Sequence, residues 1–318
     1  MAILKARDVS HVRFRVPDLA RMQAFLVDFG MIVADSRPGR LYMRGLGRSP
    51  FIHVSEQGTA GFLGFGLWAD NEAELRRLGD HDGLTPVESD EPGAGMVLRL
   101  TDPDGYIVEV LVGQTLVDAR PAPEHVPWNH GGTYARRGTP RRISPGPSHV
   151  LRLGHVVMGV RDFKRTEAWY KERFGLLTSD EIRSGGAGHQ IIGAFLRCDR
   201  GEDDPCDHHT LFFIENPAGP GFIHSAFEVP DLDDLMCGNA HLRARGHEHF
   251  WGVGRHYLGS QVFDYWKDPW GHEIEHWTDG DKLPASHQAG AGTVADLLGV
   301  QWGMPMAAPP DLDNHKAK

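Results

Sequence analysis

Hydrophobic and polar positions recur in the same order twice along the chain. A strand-like alternation beginning at His11 leads into a helical pattern after Asp18, and the same two patterns recur from His155 and after Asp162. Both aspartates stand where a side chain can cap the start of a helix. The periodicity therefore predicts two related halves, each with a coarse β-α-β-β-β order.

A second helical pattern and a tight turn follow in each half. The second helices are predicted over 71–78 and over 232–245, and an Asp-Pro-x-Gly sequence follows at 102–105 and at 268–271. Each turn leads into a final strand, so the repeat spans nearly the whole of both halves.

Proline and glycine mark the boundaries of these halves. The predicted segments are a first domain over 1–120, a linker over 121–147, a second domain over 148–282, and a tail over 283–318. The tail is predicted as loop with one short helical segment at 294–298. We expect residues from Asp311 onward to be disordered.

Superposing the two halves aligns the residues that can bind a metal. The aligned pairs are His11 with His155, Gly64 with His224, and Glu109 with Glu275. The first half thus lacks the middle ligand, because glycine has no side chain. Two imidazoles and one carboxylate on separate strands can form a facial triad, which suits Fe(II), with Mn(II) as a close substitute. We therefore predict one metal site, at His155, His224 and Glu275.

Composition narrows the class of protein. The 318-residue chain has a net charge of −10, and no basic stretch could neutralise nucleic-acid phosphates. The chain has no run of about 18 apolar residues, so we expect no membrane-spanning helix. The N-terminal residues lack the apolar core of a signal peptide. The three cysteines form no Cys-x-x-Cys pair, which indicates reduced thiols, so we expect a cytoplasmic protein.

The spacing before the third ligand is specific. His256, Tyr265 and Glu275 stand in the pattern His-x8-Tyr-x2-Asp-Pro-x-Gly-x3-Glu. Together with His155 and His224, this pattern resembles the type I extradiol ring-cleavage dioxygenases of the vicinal oxygen chelate superfamily, such as catechol 2,3-dioxygenase and 2,3-dihydroxybiphenyl 1,2-dioxygenase.

The resemblance covers about residues 7–281 and has a consequence for the fold. It implies an α+β protein with tandem vicinal oxygen chelate domains, each built from two βαβββ modules that form a curved mixed sheet around a central cavity. The coarse count of one module per half is then too low. One departure from the family pattern is Asp264, where an apolar residue is usual.

The resemblance also implies an activity. Enzymes of this family insert both atoms of O2 into a catecholic ring and cleave it next to the diol, as in bacterial breakdown of aromatic compounds. The implied cofactor is Fe(II), with Mn(II) as the alternative, and O2 is the co-substrate. The implied partners are a small catecholic molecule and further copies of the chain, in a dimer or a tetramer.

Three further residues acquire roles from the resemblance. His209 matches the acid–base histidine of the family, with the adjacent His208 as the fallback. His256 matches a histidine that contacts the substrate, and Tyr265 matches a tyrosine that hydrogen-bonds the catecholic oxygen on the metal.

The sequence says less about the substrate. Trp251 stands where relatives that cleave carboxylated catechols have an arginine, which favours an apolar or aromatic substituent, although Arg255 is kept as a candidate substrate contact. Phe195 and Phe250 are candidate walls of the pocket. Substituted or bicyclic catechols and a trihydroxytoluene-like ring are compatible with these residues, and the segment 300–306 is expected to fold over them.

Two other classes of function are compatible with the same scaffold. A glyoxalase-type isomerase or a transferase usually builds its site from two modules, whereas all three ligands here lie in one half. A small-molecule binder of the bleomycin-resistance type would need no metal triad. The dioxygenase interpretation is therefore preferred.

Overall fold

The computed structural model describes residues 2–124, 126–185 and 190–306. Within these ranges the first half contains eight strands and two helices. They are β1 Ala6–Val16, α1 Leu19–Asp28, β2 Ile32–Arg37, β3 Arg40–Arg44, β4 His53–Gln57, β5 Gly61–Ala69, α2 Glu72–Asp82, β6 Val87–Glu88, β7 Met96–Thr101 and β8 Ile107–Val112.

The remaining described chain adds twelve strands and three helices. They are β9 Arg152–Val160, α3 Phe163–Phe174, β10 Leu177–Arg183, β11 Ile191–Arg197, β12 Cys206–Asp207, β13 Leu211–Glu215, β14 Gly221–Glu228, α4 Leu232–Ala244, β15 His249–His256, β16 Val262–Lys267, β17 Glu273–Thr278, β18 Lys282–Leu283, β19 Gly290–Thr293, α5 Val294–Leu298 and β20 Val300–Trp302.

Each half forms one mixed sheet from two βαβββ modules. The first sheet has the order β2-β3-β4-β1-β5-β8-β7-β6, in which the antiparallel pair β1–β5 joins the two modules. The second has the order β19-β10-β11-β13-β9-β14-β17-β16-β15-β20 and repeats the junction with β9–β14. The α+β class and the two modules per half are confirmed, and the coarse count of one module per half was too low.

The helices begin where short polar side chains can cap them. Asp18 accepts a hydrogen bond from the backbone N–H of Arg21, and Asp162 accepts one from Arg165, as the sequence predicts for N-caps. The helix predicted over 71–78 is longer than expected and ends at Asp82. It stops there because Gly83 adopts the left-handed conformation, with φ of 69°.

Aromatic contacts fix the two halves against each other near the last ligand strand. The ring of His276 on β17 stacks on Phe29 with centroids 3.7 Å apart, and its Nε2 lies 2.7 Å from the carbonyl oxygen of Phe29. Because successive side chains on a strand point to opposite faces, this contact directs the neighbouring Glu275 into the second half.

The tail is more ordered than the sequence indicated. The helix α5 lies at the predicted position, but β19 pairs in parallel with β10 and β20 pairs antiparallel with β15. The tail therefore extends both edges of the second sheet, so the prediction of a mostly loop-like tail was wrong. The prediction for Asp311 onward lies outside the described residues.

Along the described parts of the chain, no helix combines the length and the apolar character that crossing a bilayer requires.

Candidate metal centre and its cavity

Three neighbouring strands bring the predicted ligands together. His155 lies on β9, His224 on β14 and Glu275 on β17, and both His155 and Glu275 pair with Ala226 from opposite sides. His224 lies two residues from Ala226 on the same strand, so its side chain emerges on the same face. The methyl group of Ala226 leaves the space between the ligands open.

The ligand atoms have metal-site spacing. The Nε2 atoms of His155 and His224 are 3.4 Å apart, and each lies 3.3 Å from Oε2 of Glu275. Within the described residues these three side chains form the one group of histidine, cysteine or carboxylate ligands with such spacing. This is the set predicted from the repeat.

The buried carboxylate supports a bound cation. Both oxygens of Glu275 are buried and accept no hydrogen bond from any described residue. An unpartnered buried carboxylate is costly, and a divalent cation between three ligand atoms removes that cost.

The pKa shifts of the candidate ligands also favour metal binding. Burial lowers the pKa of His155, which favours the neutral imidazole that binds metals. Burial alone would raise the pKa of Glu275, but the imidazoles of His155, His224 and His256 hold it well below its usual value. The donor set therefore suits a metal such as Fe(II) or Mn(II).

The predicted catalytic residues surround this cluster. The ring of His209 lies 4.0 Å from that of His155, between centroids, and Tyr265 meets His224 edge-on at 5.0 Å. The hydroxyl of Tyr265 is 3.1 Å from Nε2 of His256. With Glu275, six side chains with hydrogen-bonding capacity thus lie close together.

Burial sets the protonation of two of these groups. Burial, together with the nearby His155 and His208, lowers the pKa of His209 well below its usual value, so its imidazole is neutral at neutral pH. Burial and the charge of Glu275 raise the pKa of Tyr265 well above its usual value. The site therefore offers a neutral base and a neutral hydroxyl donor.

A cavity of about 330 Å³ opens beside the ligands. Its walls are mainly apolar, and Gln261 and Glu273 are its polar residues apart from the ligand and catalytic groups. No lysine or arginine of the described chain lines it. The apolar lining residues are Val157, Phe195, Phe212, Ile214, Ile223, Phe250, Trp251, Leu258, Val294, Leu297, Leu298 and Met306.

One predicted substrate contact lies elsewhere. Phe195, Phe250 and Trp251 line the cavity as expected, but Arg255 does not. Its guanidinium donates to Asp279 at 2.7 Å and packs near the ring of Trp302. Arg255 precedes His256 on β15, so its side chain emerges on the opposite face of the strand. The prediction that Arg255 binds substrate is corrected accordingly.

The tail supplies part of the wall, both from the segment 300–306 that was expected to fold over the pocket and from α5, which the sequence did not assign to it. Residues of α5 and Met306 line the cavity, and the indole N–H of Trp251 donates to the carbonyl oxygen of Met304 at 2.6 Å. Phe212 and Ile214 were also missed, although they alternate along β13 in a way that could have identified them.

The first half shows why its copy of the site holds no middle ligand. Gly64 pairs with Ile107 as His224 pairs with Glu273, which confirms the alignment of Gly64 with His224. A Cβ atom at Gly64 would lie 1.9 Å from the carbonyl oxygen of Ile107. No side chain fits there without a shift of β5 against β8.

Arg13 supplies the positive charge beside the aligned carboxylate. Its guanidinium donates to Glu109 and to Glu91, both at 2.8 Å, while Nε2 of His11 also lies 2.8 Å from Glu109. Burial alone would raise the pKa of Glu109, but His11 and Arg13 hold it well below its usual range. A guanidinium thus stands where the second half would hold a cation.

We expect Arg13→Met to destabilise the protein by about 3–5 kcal/mol, because it leaves Glu91 and Glu109 buried without their shared counter-charge. Arg99→Met is the matched control, since Arg99 also donates to Glu109, at 2.7 Å, but its side chain is 48% exposed. The control should lose about 1 kcal/mol or less. Urea unfolding measures both, and equal losses would contradict the role of Arg13.

Comparisons with known proteins agree with this arrangement. Residues 152–276 match the model of the Glyoxalase/Bleomycin resistance protein/Dioxygenase superfamily. The chain is 30% identical over 301 residues to metapyrocatechase 2 of Cupriavidus necator, covering 93% of this chain and 88% of that protein. It is 25% identical to an iron-dependent extradiol dioxygenase of Rhodococcus jostii (strain RHA1), covering 95% and 99%.

A solved structure shares the fold. The Mn(II)-bound glyoxalase of Novosphingobium aromaticivorans superposes with a TM-score of 0.77 at 20% identity, covering 97% of this chain and 94% of that one. Identity this low shows the fold alone. The identity and coverage of the metapyrocatechase relative, together with the buried His-His-Glu cluster, show that this chain belongs to the extradiol ring-cleavage dioxygenases of the glyoxalase and vicinal oxygen chelate superfamily.

Proposed function

We propose that His155, His224 and Glu275 hold one Fe(II) per chain, and that the enzyme cleaves a catechol with an apolar substituent next to its diol. The observation that carries the proposal is the buried, unpartnered carboxylate of Glu275 beside two imidazoles, His155 and His224, that line an apolar cavity. The name of the iron-dependent relative favours Fe(II) over Mn(II).

Fe(II) in this position would bind both catechol oxygens, lower their pKa and let electron density pass from the ring to O2. The protein residues orient the ring. Tyr265 stays protonated and can donate its O–H to a catechol oxygen, while the Nε2 atom of His256 receives or donates a hydrogen bond at the same position. Their mutual distance of 3.1 Å allows both to reach one oxygen atom.

We assign His209 the acid–base role. Its imidazole is neutral and lines the cavity, so it can take a proton from a catechol hydroxyl of the bound substrate as part of the chemical step. The same nitrogen can return the proton when the bond between the two oxygen atoms of the co-substrate breaks. The apolar walls exclude water, which keeps that proton within the site.

The cavity wall indicates the substituent. A carboxylate on the ring would enter a volume without a cationic side chain among the described residues, and it would approach the carboxyl group of Glu273. An alkyl or aryl group would instead contact Phe212, Trp251 and the tail. The favoured substrates are therefore uncharged apart from the diol.

A matched pair of substrates tests the proposal. 4-Isobutylcatechol and 3,4-dihydroxyphenylacetate have side chains of the same size and branching, but only the second is charged. With Fe(II)-reconstituted enzyme, we expect one O2 consumed per ring, a yellow product, and kcat/KM at least about 100-fold higher for the isobutyl compound, because an unpaired buried charge costs several kcal/mol. Mn(II)-loaded enzyme is the metal comparison.

Two outcomes would oppose the proposal. No O2 uptake with either compound, despite bound metal, would move the assignment to an isomerase or a transferase on the same scaffold. Equal or better use of the carboxylate would show that the cavity is not selective against charge.

The cellular compartment and the oligomeric state are proposed from fewer observations. Cys198, Cys206 and Cys237 are free thiols, which supports a reducing compartment such as the cytoplasm. A homo-oligomer, either a dimer or a tetramer, is proposed on the family resemblance alone.

A further inference from the structure

His208 is a buried histidine to which the mechanism above gives no role. Its Nε2 lies 2.7 Å from Oδ2 of Asp180, and its Nδ1 lies 3.1 Å from Nδ1 of His209. The side chain of His208 is only 4% exposed and that of Asp180 only 17%. Asp180, His208 and His209 thus form a continuous series of hydrogen bonds that ends at the cavity.

Asp180 determines which atom donates and which accepts in each of these hydrogen bonds. The carboxylate of Asp180 can only accept, so Nε2 of His208 carries a hydrogen. With that hydrogen on Nε2, Nδ1 of His208 offers the lone pair that accepts the N–H of His209 Nδ1 across 3.1 Å. The hydrogen-bond geometry thereby places the hydrogen of His209 on Nδ1, and its Nε2 is left as the nitrogen that can accept.

That free nitrogen is the one available for chemistry. His209 lines the cavity, and no described residue makes a hydrogen bond to its Nε2. We propose that Asp180 and His208 are positioning residues that fix His209 in the tautomer whose Nε2 accepts the substrate proton. This inference rests on the proposed acid–base role of His209.

The surroundings hold His208 in this orientation. Its ring contacts Phe195, with centroids 5.1 Å apart, and packs against Gly259, where a Cβ would lie 3.0 Å from Nδ1. The backbone N–H of His208 donates to the carbonyl oxygen of Asp281 at 2.9 Å.

The tail holds Asp180 as well. Asp180 on β10 pairs with Gly290 on β19, and a Cβ atom at Gly290 would lie 2.1 Å from the carboxylate oxygen Oδ1. The bare backbone of the tail strand therefore lies directly against the carboxylate. Asp180 is therefore held on one side by His208 and on the other by the backbone of β19.

Isosteric variants separate positioning from simple structural support. Asp180→Asn replaces an acceptor-only carboxylate with an amide that can also donate. His208 is then no longer obliged to keep its hydrogen on Nε2, and it can present Nδ1–H to His209 and reverse its tautomer. His208→Leu removes the acceptor for His209, whereas His208→Asn places an amide oxygen near the former Nδ1. We expect Asp180→Asn and His208→Leu to lower kcat about 10- to 100-fold, with KM and metal content unchanged, and His208→Asn to stay within about 3-fold of wild type.

A double-variant cycle gives the decisive readout. In the His208→Asn background, Asp180→Asn should cause no further loss of kcat, because the shorter amide side chain that replaces His208 would no longer reach Asp180. The inference is overturned if Asp180→Asn lowers kcat equally in both backgrounds, or if it leaves wild-type kcat intact. Should Asp180→Asn fail to fold, the contrast between His208→Leu and His208→Asn decides alone, and equal kcat in those two would overturn it.

The failure of the proposed function is distinguishable from the failure of this inference. His209→Gln reports on the acid–base role directly. If that variant keeps wild-type kcat, the role of His209 falls and the inference with it. If it loses activity while Asp180→Asn and His208→Leu do not, only the positioning role is wrong.

Discussion

His224→Ala is expected to lose its bound metal and to lower kcat by at least about 10³-fold. The substitution leaves His155 and Glu275 as the remaining ligands, which cannot hold a divalent cation in a three-ligand facial arrangement. A metal held by these residues would contribute several kcal/mol of transition-state stabilisation, and about 1.4 kcal/mol corresponds to a factor of ten. Metal analysis of the purified protein and single-turnover O2 uptake measure the two effects.

His11→Gln is the matched control in the first half. His11 occupies the aligned strand position and lies 2.8 Å from Glu109, and glutamine retains a donor for that carboxylate. We expect metal content to stay at one per chain and kcat to be unchanged. Wild-type metal content in His224→Ala, or loss of metal in His11→Gln, would show that the ligands have been assigned to the wrong half.

His209→Gln should lower kcat by about 10²- to 10⁴-fold while metal content and substrate affinity remain close to those of the wild type. Glutamine is polar and of similar reach but cannot exchange a proton near neutral pH. The effect should therefore appear in the chemical step and not in binding. Anaerobic substrate titration separates the two, and a parallel loss of affinity would argue for a binding role instead.

His209 should also determine how kcat falls at acidic pH. Because burial and its histidine neighbours lower the pKa of His209 well below its usual value, the neutral base persists as the pH falls below neutrality. Activity that depends on this base is present above its pKa and is lost as the pH falls through it. The acidic limb of kcat should accordingly lie below about pH 6.5, the ordinary histidine value, and should be absent from His209→Gln.

The convergence of the three candidate ligands could be predicted because it depends on backbone register. Strand pairing places His155, His224 and Glu275 by the same geometry that places their counterparts in the first half, so aligning the repeat was sufficient. Trp251 was identified as a wall residue from its position relative to the family pattern, and Phe195 was named as a candidate wall residue.

Other parts of the site depend on contacts that the sequence does not display. The short tail strand β19 contains Gly290-Ala-Gly-Thr, which carries no strand signal of its own and forms because the edge of β10 offers a partner. Asp180 meets His208 across 28 residues of sequence. Arg255 is different, since strand alternation with His256 already opposed its assignment to the cavity.

The position of Arg13 beside Glu109 also constrains which substitutions the first half can accept. Restoring a second centre would require a side chain at position 64, a displaced carbonyl at Ile107 and the removal of a guanidinium that neutralises two carboxylates. Each step taken singly damages the first half before any ligand is gained. We therefore expect the first half to be constrained by its own stability, whereas substitutions that alter substrate choice should fall among the cavity-lining residues, all of which lie in the second half and its tail.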